Sequence, residues 1–455
     1  MKIIIIGAGS IGTNIARQLE KENHEVYIVE SDRDLALRVN EKIDAKVIIG
    51  NSTDPNVLRN AGIEKADIIV AVTHSDEVNL IVCSLADAMS GALKIARIRN
   101  TSLVKLIEQK GYDFFHIDEI ITPEKISSEI LANIIEDYGA KDAIDFADGK
   151  ILLRAFNIQK TSPICCQEIN AVKKKEKDLK FLIVAIKRKG NVFFPRGDTK
   201  IEENDRIYAL FPSDQKIKFL NMINPDFYIP KKLIIFGAST ITKMLIEKIR
   251  DFIEEIVVIE PDEKKAEKIS EETESLLVIN GIATDAEILN EAGIKTADFF
   301  IAASQDEHSN LVSAVLAKKL GAKSTAIISY QSDLKVIIDT MGIDILINPR
   351  ILAAYYILRF VRGTKIRHIA KLANIGIEAI ELIPEKNSPI TKKEIKDIKF
   401  PKDSIAGAYV RNGKSFLVDG NVKINEGEPV IVFCSDKSSQ SLIELFSVKK
   451  NFFNI

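Results

Sequence analysis

Residues 2–12 read Lys2-Ile3-Ile4-Ile5-Ile6-Gly7-Ala8-Gly9-Ser10-Ile11-Gly12, four isoleucines running into a glycine-rich turn. A continuous β-branched run suits a strand buried on both faces. The turn has GxGxxG spacing and opens a helix-like segment ending near Glu22. Gly7 permits the tight turn, Gly9 lets backbone approach a pyrophosphate, and Gly12 lets the helix pack on the strand, while the amides at the helix start attract phosphate. The acid that completes this fingerprint is Glu30, eighteen residues after Gly12 at the end of the second strand. A carboxylate there binds both adenosine ribose hydroxyls and disfavours a 2′-phosphate. NAD or an adenine nucleotide is therefore expected before NADP, a preference that nearby Arg33 weakens.

Outward from this loop, strands are expected at Lys2 to Ile6, Val26 to Val29, Lys46 to Ile49, Ile68 to Val72 and Lys94 to Ile98, with amphipathic segments between them. Apolar strands alternating with helices indicate a parallel sheet covered on both faces. The second half reproduces this pattern at a shift of about 230 residues. Gly50-Asn51-Ser52-Thr53-Asp54 returns as Gly281-Ile282-Ala283-Thr284-Asp285, Ala61-Gly62-Ile63 as Ala292-Gly293-Ile294, and Asn79-Leu80 as Asn310-Leu311. The second set of strands is expected at Leu233 to Phe236, Glu255 to Ile259, Ser275 to Ile279, Phe299 to Ala303 and Ser324 to Ile328.

A different grammar follows each block, with short apolar runs punctuated by turn residues. Ser162-Pro163-Ile164 is echoed by Ser388-Pro389-Ile390, and Gly197 to Ile201 by Gly420 to Ile424. The expected fold class is α/β: two tandem Rossmann-like parallel-sheet domains, each followed by a small αβ C-lobe. The expected domains are N-lobe 1 at 1–139, C-lobe 1 at 140–227, N-lobe 2 at 228–363 and C-lobe 2 at 364–455, with Pro225 and Pro230 marking the midpoint linker.

Further candidate ligand contacts lie at strand ends: Asn51 and Ser52 after the third strand, Thr73 and His74 after the fourth, and Arg97 and Arg99 at the fifth. Alternate strand residues share a face, so both arginines can serve one phosphate; surface or interdomain ion pairs are the competing reading. His74 reads as a loop position set by its backbone. The second copy is worn at these points. Gly237-Ala238-Ser239-Thr240-Ile241-Thr242 keeps only the first glycine, Thr242 is expected to crowd the helix contact, and Ile328 and Tyr330 replace the two arginines. Glu260 survives as the ribose acid. Nucleotide binding in the second lobe is expected to be weaker or different.

Composition narrows the function classes. With 63 Lys plus Arg against 65 Asp plus Glu, the formal charge of -2 provides no global drive toward nucleic acid. The run Lys173, Lys174, Lys175, Lys177 reads as a solvated loop or turn. No stretch approaches the roughly 18 apolar residues of a membrane span, and the chain opens on a strand instead of a signal peptide. Cys83, Cys165, Cys166 and Cys434 form no CxxC pair and no zinc pattern with histidine, so structural thiols in a reducing compartment are expected, with redox sensing by adjacent Cys165 and Cys166 the competing reading, and no metal site.

The tandem order of a GxGxxG lobe with Gly50-Asn51-Ser52-Thr53-Asp54, the stretch Ala61 to Leu80 and Ala96-Arg97-Ile98-Arg99-Asn100, followed by a small C-lobe and repeated, resembles the TrkA-type peripheral subunits of Trk potassium-uptake systems. The likeness covers essentially the whole chain. It implies RCK or KTN lobes in a cytoplasmic homo-oligomer, usually a tetramer, on the inner face of the membrane beneath a potassium-transporter subunit. It also implies NAD(H) and ATP or ADP as ligands, no catalytic residues, and nucleotide contacts at Gly7, Gly9, Gly12, Glu30, Thr73 and Arg97. Gly237 and Glu260 match in the second lobe, whereas Ser239 and Thr242 depart from the pattern.

Within Pro123 to Tyr138, Ile126, Ile130, Leu131, Ile134 and Ile135 form an apolar stripe with helical spacing, and Ile351 to Val361 is still more apolar. Each reads as an assembly surface or as intramolecular core; the family resemblance implies crossover helices that hold N-lobes together. Two rival functions remain: an NAD-dependent oxidoreductase, and a regulator of another potassium channel or antiporter. Tyr228 and Lys232 have the YxxxK spacing of a hydride-transfer enzyme, but intervening Pro230 argues against one helix presenting both. The five histidines form no readable constellation.

Overall fold

A computed structural model describes residues 1–20, 24–225, 227–273, 276–331, 338, 340–362, 366–372 and 376–448. The first sheet contains β1 (Lys2–Ile6), β2 (Glu25–Glu30), β3 (Lys46–Ile49), β4 (Ile68–Ala71), β5 (Leu93–Arg97) and β6 (Glu119–Ile121). Its order is β3-β2-β1-β4-β5-β6 with every neighbour parallel, a doubly wound sheet whose chain reverses direction beside β1. Ile3, Ile4, Ile5 and Ile6 are all fully buried, as a central strand covered by helices on both faces requires. The helix after the glycine turn runs over Ser10–Glu20; Glu22, where the pattern ends it, lies outside the described residues. β6 has only three residues, too few to reveal a pattern in the sequence.

β7 (Ala140–Phe146), β8 (Ile151–Asn157), β9 (Leu182–Arg188), β10 (Asn191–Phe193) and β11 (Arg206–Pro212) follow in an antiparallel sheet ordered β10-β9-β11-β8-β7. The second parallel sheet comprises β12 (Lys232–Phe236), β13 (Glu255–Glu260), β14 (Leu277–Asn280), β15 (Phe299–Ala302), β16 (Ser324–Ile328) and β17 (Ile345–Ile347), ordered as in the first copy. Ser275, assigned to β14 by the sequence pattern, lies outside the described residues. The last sheet holds β18 (Ile366–Lys371), β19 (Ile377–Leu382), β20 (Ser404–Arg411), β21 (Lys414–Leu417) and β22 (Val430–Ser435), ordered β18-β19-β22-β20-β21. β18 takes the place of β7 and β22 that of β11, so both C-lobes share one topology.

Contacts group the chain differently from the linear lobe boundaries. One unit joins residues 1–126 to 348–363, and the other joins 127–347 to 364–455. In the first unit, helix Pro349–Val361 packs along helix Ser10–Glu20. Asn348 caps its start by accepting from the N–H groups of Arg350 and Ile351, and Tyr356 donates to Glu119 at 2.7 Å. Within the second unit, Lys248 of helix Thr240–Ile249 reaches Glu129, 3.4 Å away on helix Pro123–Glu136. Leu131, Ile134 and Ile135 of the predicted stripe are buried, while Ile126 and Ile130 are half-buried. Each N-lobe is thus completed by the helix that leaves the other copy. The expected boundary at 363/364 falls on Gly363 and Thr364, outside the described residues.

The two C-lobes share a core within the second unit. Phe146, Leu153, Tyr208 and Leu210 of one form a single buried cluster with Leu372, Ile377 and Phe433 of the other. Gly407 is required here, because a Cβ would stand 2.7 Å from the Phe433 ring and 2.8 Å from Leu210. Behind this core Arg154 is 2 % exposed and pairs with Asp137 and Asp145. The lysine run departs from the sequence expectation: Lys173, Lys174 and Lys175 occupy the last turn of helix Ile169–Lys175, where cations complement the carbonyl end.

Candidate functional site

The end of β1 turns sharply at Gly7, whose φ of +103° suits glycine, and its N–H donates to the Val29 carbonyl at 2.9 Å. A Cβ on Gly12 would lie 2.0 Å from the Gly7 oxygen, so the helix seats on the turn only with glycine there. A Cβ on Gly9 would meet nothing within 4 Å, which leaves the face of the loop open. Ala8 and Ile11 are buried beneath the loop, and Ser10 begins the helix on the exposed side. Thr13, not singled out by the motif, donates to the Ala8 and Gly9 carbonyls at 2.8 Å each and holds the turn shut from below.

Glu30 stands beside this loop. Its carboxylate accepts the Ala8 N–H at 2.7 Å and the Asp32 N–H at 2.9 Å, which fixes its position against the glycines. The Ser31 hydroxyl also donates to it at 3.2 Å; a carboxylate has about four acceptor positions, so capacity remains for a sugar hydroxyl.

At the ends of β4 and β5, fully buried Asn79 organises the backbone. Its side-chain oxygen accepts from the Thr73 N–H at 2.9 Å and hydroxyl at 2.7 Å, and its amide donates to the Arg97 carbonyl at 2.9 Å. The recurrence of Asn79 as Asn310 carried this signal in the sequence. His74 is exposed, and its carbonyl accepts from the Arg99 guanidinium. Asp76 accepts the N–H groups of Arg99 and Asn100 at 2.9 and 2.8 Å. Arg97 instead pairs with Glu124, 3.1 Å away in the first turn of helix Pro123–Glu136. The two arginines therefore have different protein partners. Ser52 is buried, while Asn51 uses its side-chain oxygen to accept from Thr53.

The second copy repeats the frame with altered chemistry. Glu260 accepts the Ala238 N–H at 2.6 Å, as Glu30 does for Ala8, and Asn310 braces Ser304 and Ile328. Ser239 caps helix Thr240–Ile249 by accepting the Thr242 N–H at 3.3 Å, so a side chain takes an amide at the helix start. Gly9, at the same position in the first copy, has no side chain to do this. Contrary to the expected crowding, Thr242 is accommodated: its hydroxyl donates to the Gly237 carbonyl at 2.6 Å, and the residue is fully buried. Thr240 and Ile241 begin the helix, with Ile241 buried.

Tyr228 and Lys232 do not form a catalytic pair. Tyr228 donates to Asp298 at 2.8 Å, Lys232 pairs with Glu255 at 2.7 Å, and Lys232 starts β12 at the end of the sheet opposite the glycine turn. Cys83 and Cys434 are buried, and burial pushes the Cys83 thiol up to about 12. Cys165 and Cys166 are more accessible, with their sulfurs 3.7 Å apart.

Fold and loop together define a class: a duplicated Rossmann-type lobe with a dinucleotide-style turn, each copy trailed by an antiparallel C-lobe. The TrkA-N domain model matches residues 3–123 and 233–349, and the TrkA-C domain model matches residues 153–224. The chain belongs to the TrkA family of Trk-system potassium uptake proteins. It is 30% identical to the Trk system potassium uptake protein TrkA of Halomonas elongata, with 100% of both chains covered. The TrkA homolog of Archaeoglobus fulgidus is 28% identical, with 98% of this chain and 100% of that one covered. Among solved structures, the GsuK RCK domain matches with a TM-score of 0.64 at 17% identity, covering 98% of this chain and 94% of that one. The GsuK channel bound to NAD matches with a TM-score of 0.64 at 16% identity, covering 98% and 78%. At these identities the structural likeness concerns the fold. Among the described residues, no helix is long and apolar enough to cross a membrane.

Proposed function

We propose that this chain is a regulatory subunit of a Trk-type potassium transporter and that its first N-lobe senses NAD(H) and ATP or ADP. The observation that carries the reading is the contrast at two equivalent helix starts: Gly9 is open, whereas Ser239 caps its own helix. Bare amides at a helix N-terminus gather a diphosphate, and Glu30 beside them receives the ribose. Gly7, Gly12, Thr73 and Arg97 complete the proposed contacts. The GsuK structures bound to NAD and to ADP support the ligand class.

In this reading the protein acts from the cytoplasmic face, as a homo-oligomer docked on a membrane potassium-transporter subunit, with no nucleic-acid partner. Its four lobes fall near 1–139, 140–227, 228–363 and 364–455. Different nucleotides shift the assembly only to the extent that they bind its two states with different affinity. A triphosphate competes with Glu124 for Arg97, which a ligand ending at a diphosphate leaves in its ion pair. The Tyr228–Lys232 pairing that the rival hydride-transfer reading would use does not form, since Tyr228 donates to Asp298 and Lys232 pairs with Glu255. Binding of NAD⁺, NADH, ATP and ADP to the purified chain, with oligomer size measured in each state, tests the proposal. Failure to bind all four ligands overturns it.

A further inference from the structure

Asp344, just before β17, accepts from Lys141 at 2.7 Å, Lys318 at 2.6 Å and the Thr325 N–H at 3.0 Å. One carboxylate thus answers two ammonium groups. It stands at the wall of a cleft of about 340 Å³ within the second unit, between the β9–β10 turn and the loop before β17. Lys187, Lys189 and Arg206 also line the cleft, together with the carboxamides of Asn157 and Asn204. Lys141 and Lys318 pair with this acid, and Lys189 and Arg206 line the same cleft, so four cations stand against one acid among these described groups. Burial pulls Lys141 below the usual lysine range, and Lys318 and Arg206 push it the same way, while Asp344 opposes them. Excess positive charge in a partly desolvated concavity is the electrostatic signature of an anion site.

The side chains are arranged to receive such a ligand. Arg206 donates through Nε to Asn157 at 2.8 Å, which orients the guanidinium from its inner edge. Lys189 occupies the β9–β10 turn at a φ of +49° and is exposed. Among the described residues the lining contains no aromatic ring, and Ile343 is its sole large apolar residue, so a nucleobase has no stacking partner there. The volume lies at the lower end of the range for small-ligand sites, roughly 300 to 1,000 Å³.

We propose that this cleft binds a small multivalent anion, of phosphate-ester or polycarboxylate chemistry and without a base, at a second regulatory site separate from the glycine loop. The site stands whether or not the first N-lobe binds nucleotide.

Calorimetric titration of the full chain with inorganic pyrophosphate, and in parallel with citrate, tests it. The wild-type protein is expected to bind at least one of the two anions, and the response to each distinguishes phosphate from carboxylate chemistry. K189Q/R206Q is expected to weaken that binding by about tenfold or more with an unchanged denaturation profile. G9D, which obstructs the glycine loop, is expected to leave it intact. Absence of binding to both anions, binding unaffected by K189Q/R206Q, or binding abolished by G9D each overturns the proposal.

Discussion

Glu30 accepts the backbone N–H of Ala8 at 2.7 Å, which ties the end of β2 to the glycine turn after β1. One carboxylate therefore shapes the glycine turn, and in the proposed function it also receives the ribose. Glu30→Ala removes both roles. Hydrogen bonds to charged groups contribute about 1.5–3 kcal/mol, so NAD affinity is expected to fall roughly 10- to 100-fold. Calorimetric titration checks this, and unchanged affinity would remove Glu30 from the site.

Gly12→Val places a Cβ where only 2.0 Å separates it from the Gly7 oxygen. The helix must move off the turn, and overpacking of this kind costs about 1–3 kcal/mol. Urea denaturation is expected to show that loss, accompanied by loss of nucleotide binding.

The two N-lobes are expected to differ in occupancy. Ser239 and Thr242 satisfy one another and the Gly237 carbonyl, so the second helix start has less to offer a phosphate. Equilibrium dialysis should find one strongly bound nucleotide per chain. Two equal strong sites would contradict the asymmetry.

Arg154 is buried with Asp137 and Asp145, and its positive charge is held by them against desolvation. Arg154→Leu leaves buried Asp137 with Lys216, 2.8 Å away, as its remaining cationic partner. Removing one partner of a buried pair costs about 3–5 kcal/mol when the other is left unpaired; with Lys216 still in place a loss toward the lower end is expected, read as a shift in the denaturation midpoint of the second unit.

Glu381 sits in the joint between the C-lobes and accepts the Ala147 N–H at 3.0 Å. Burial raises its pKa above the usual glutamate value, against the pull of that N–H and of Arg367. The folded state therefore favours the protonated acid. Its stabilising contribution is present below the unfolded pKa and is lost as pH rises through the folded one. Glu381→Gln, which keeps an acceptor but cannot ionise, is expected to be more stable than wild type at neutral pH and to lose this part of the pH dependence. A denaturation series from pH 4 to 8 measures the difference.

Much of the architecture was readable because buried parallel strands leave unbroken apolar runs, and Ile3 to Ile6 and Leu233 to Phe236 are such runs. β6 and β17 escaped notice because three residues carry no period. The glycine loop and Glu30 stood out through fixed spacing from a strand. Thr13 and Glu124 did not, because their importance depends on partners that only the folded chain brings near; the recurrence of Asn79 as Asn310 marks the position, and the fold supplies its partners. The accommodation of Thr242 was equally hidden: side-chain volume alone predicts a clash, but its hydroxyl finds a carbonyl and turns the close approach into a hydrogen bond.

The reciprocal placement of the helices at 123–136 and 349–361 makes the tandem repeat a fused pair in which neither half is self-sufficient. Severed at the midpoint, each fragment would expose an apolar seam that its own sequence cannot cover, and the two pieces should recover structure by finding one another. Covalent fusion also lets the copies age unequally: one can surrender its ligand and persist as scaffolding for the other.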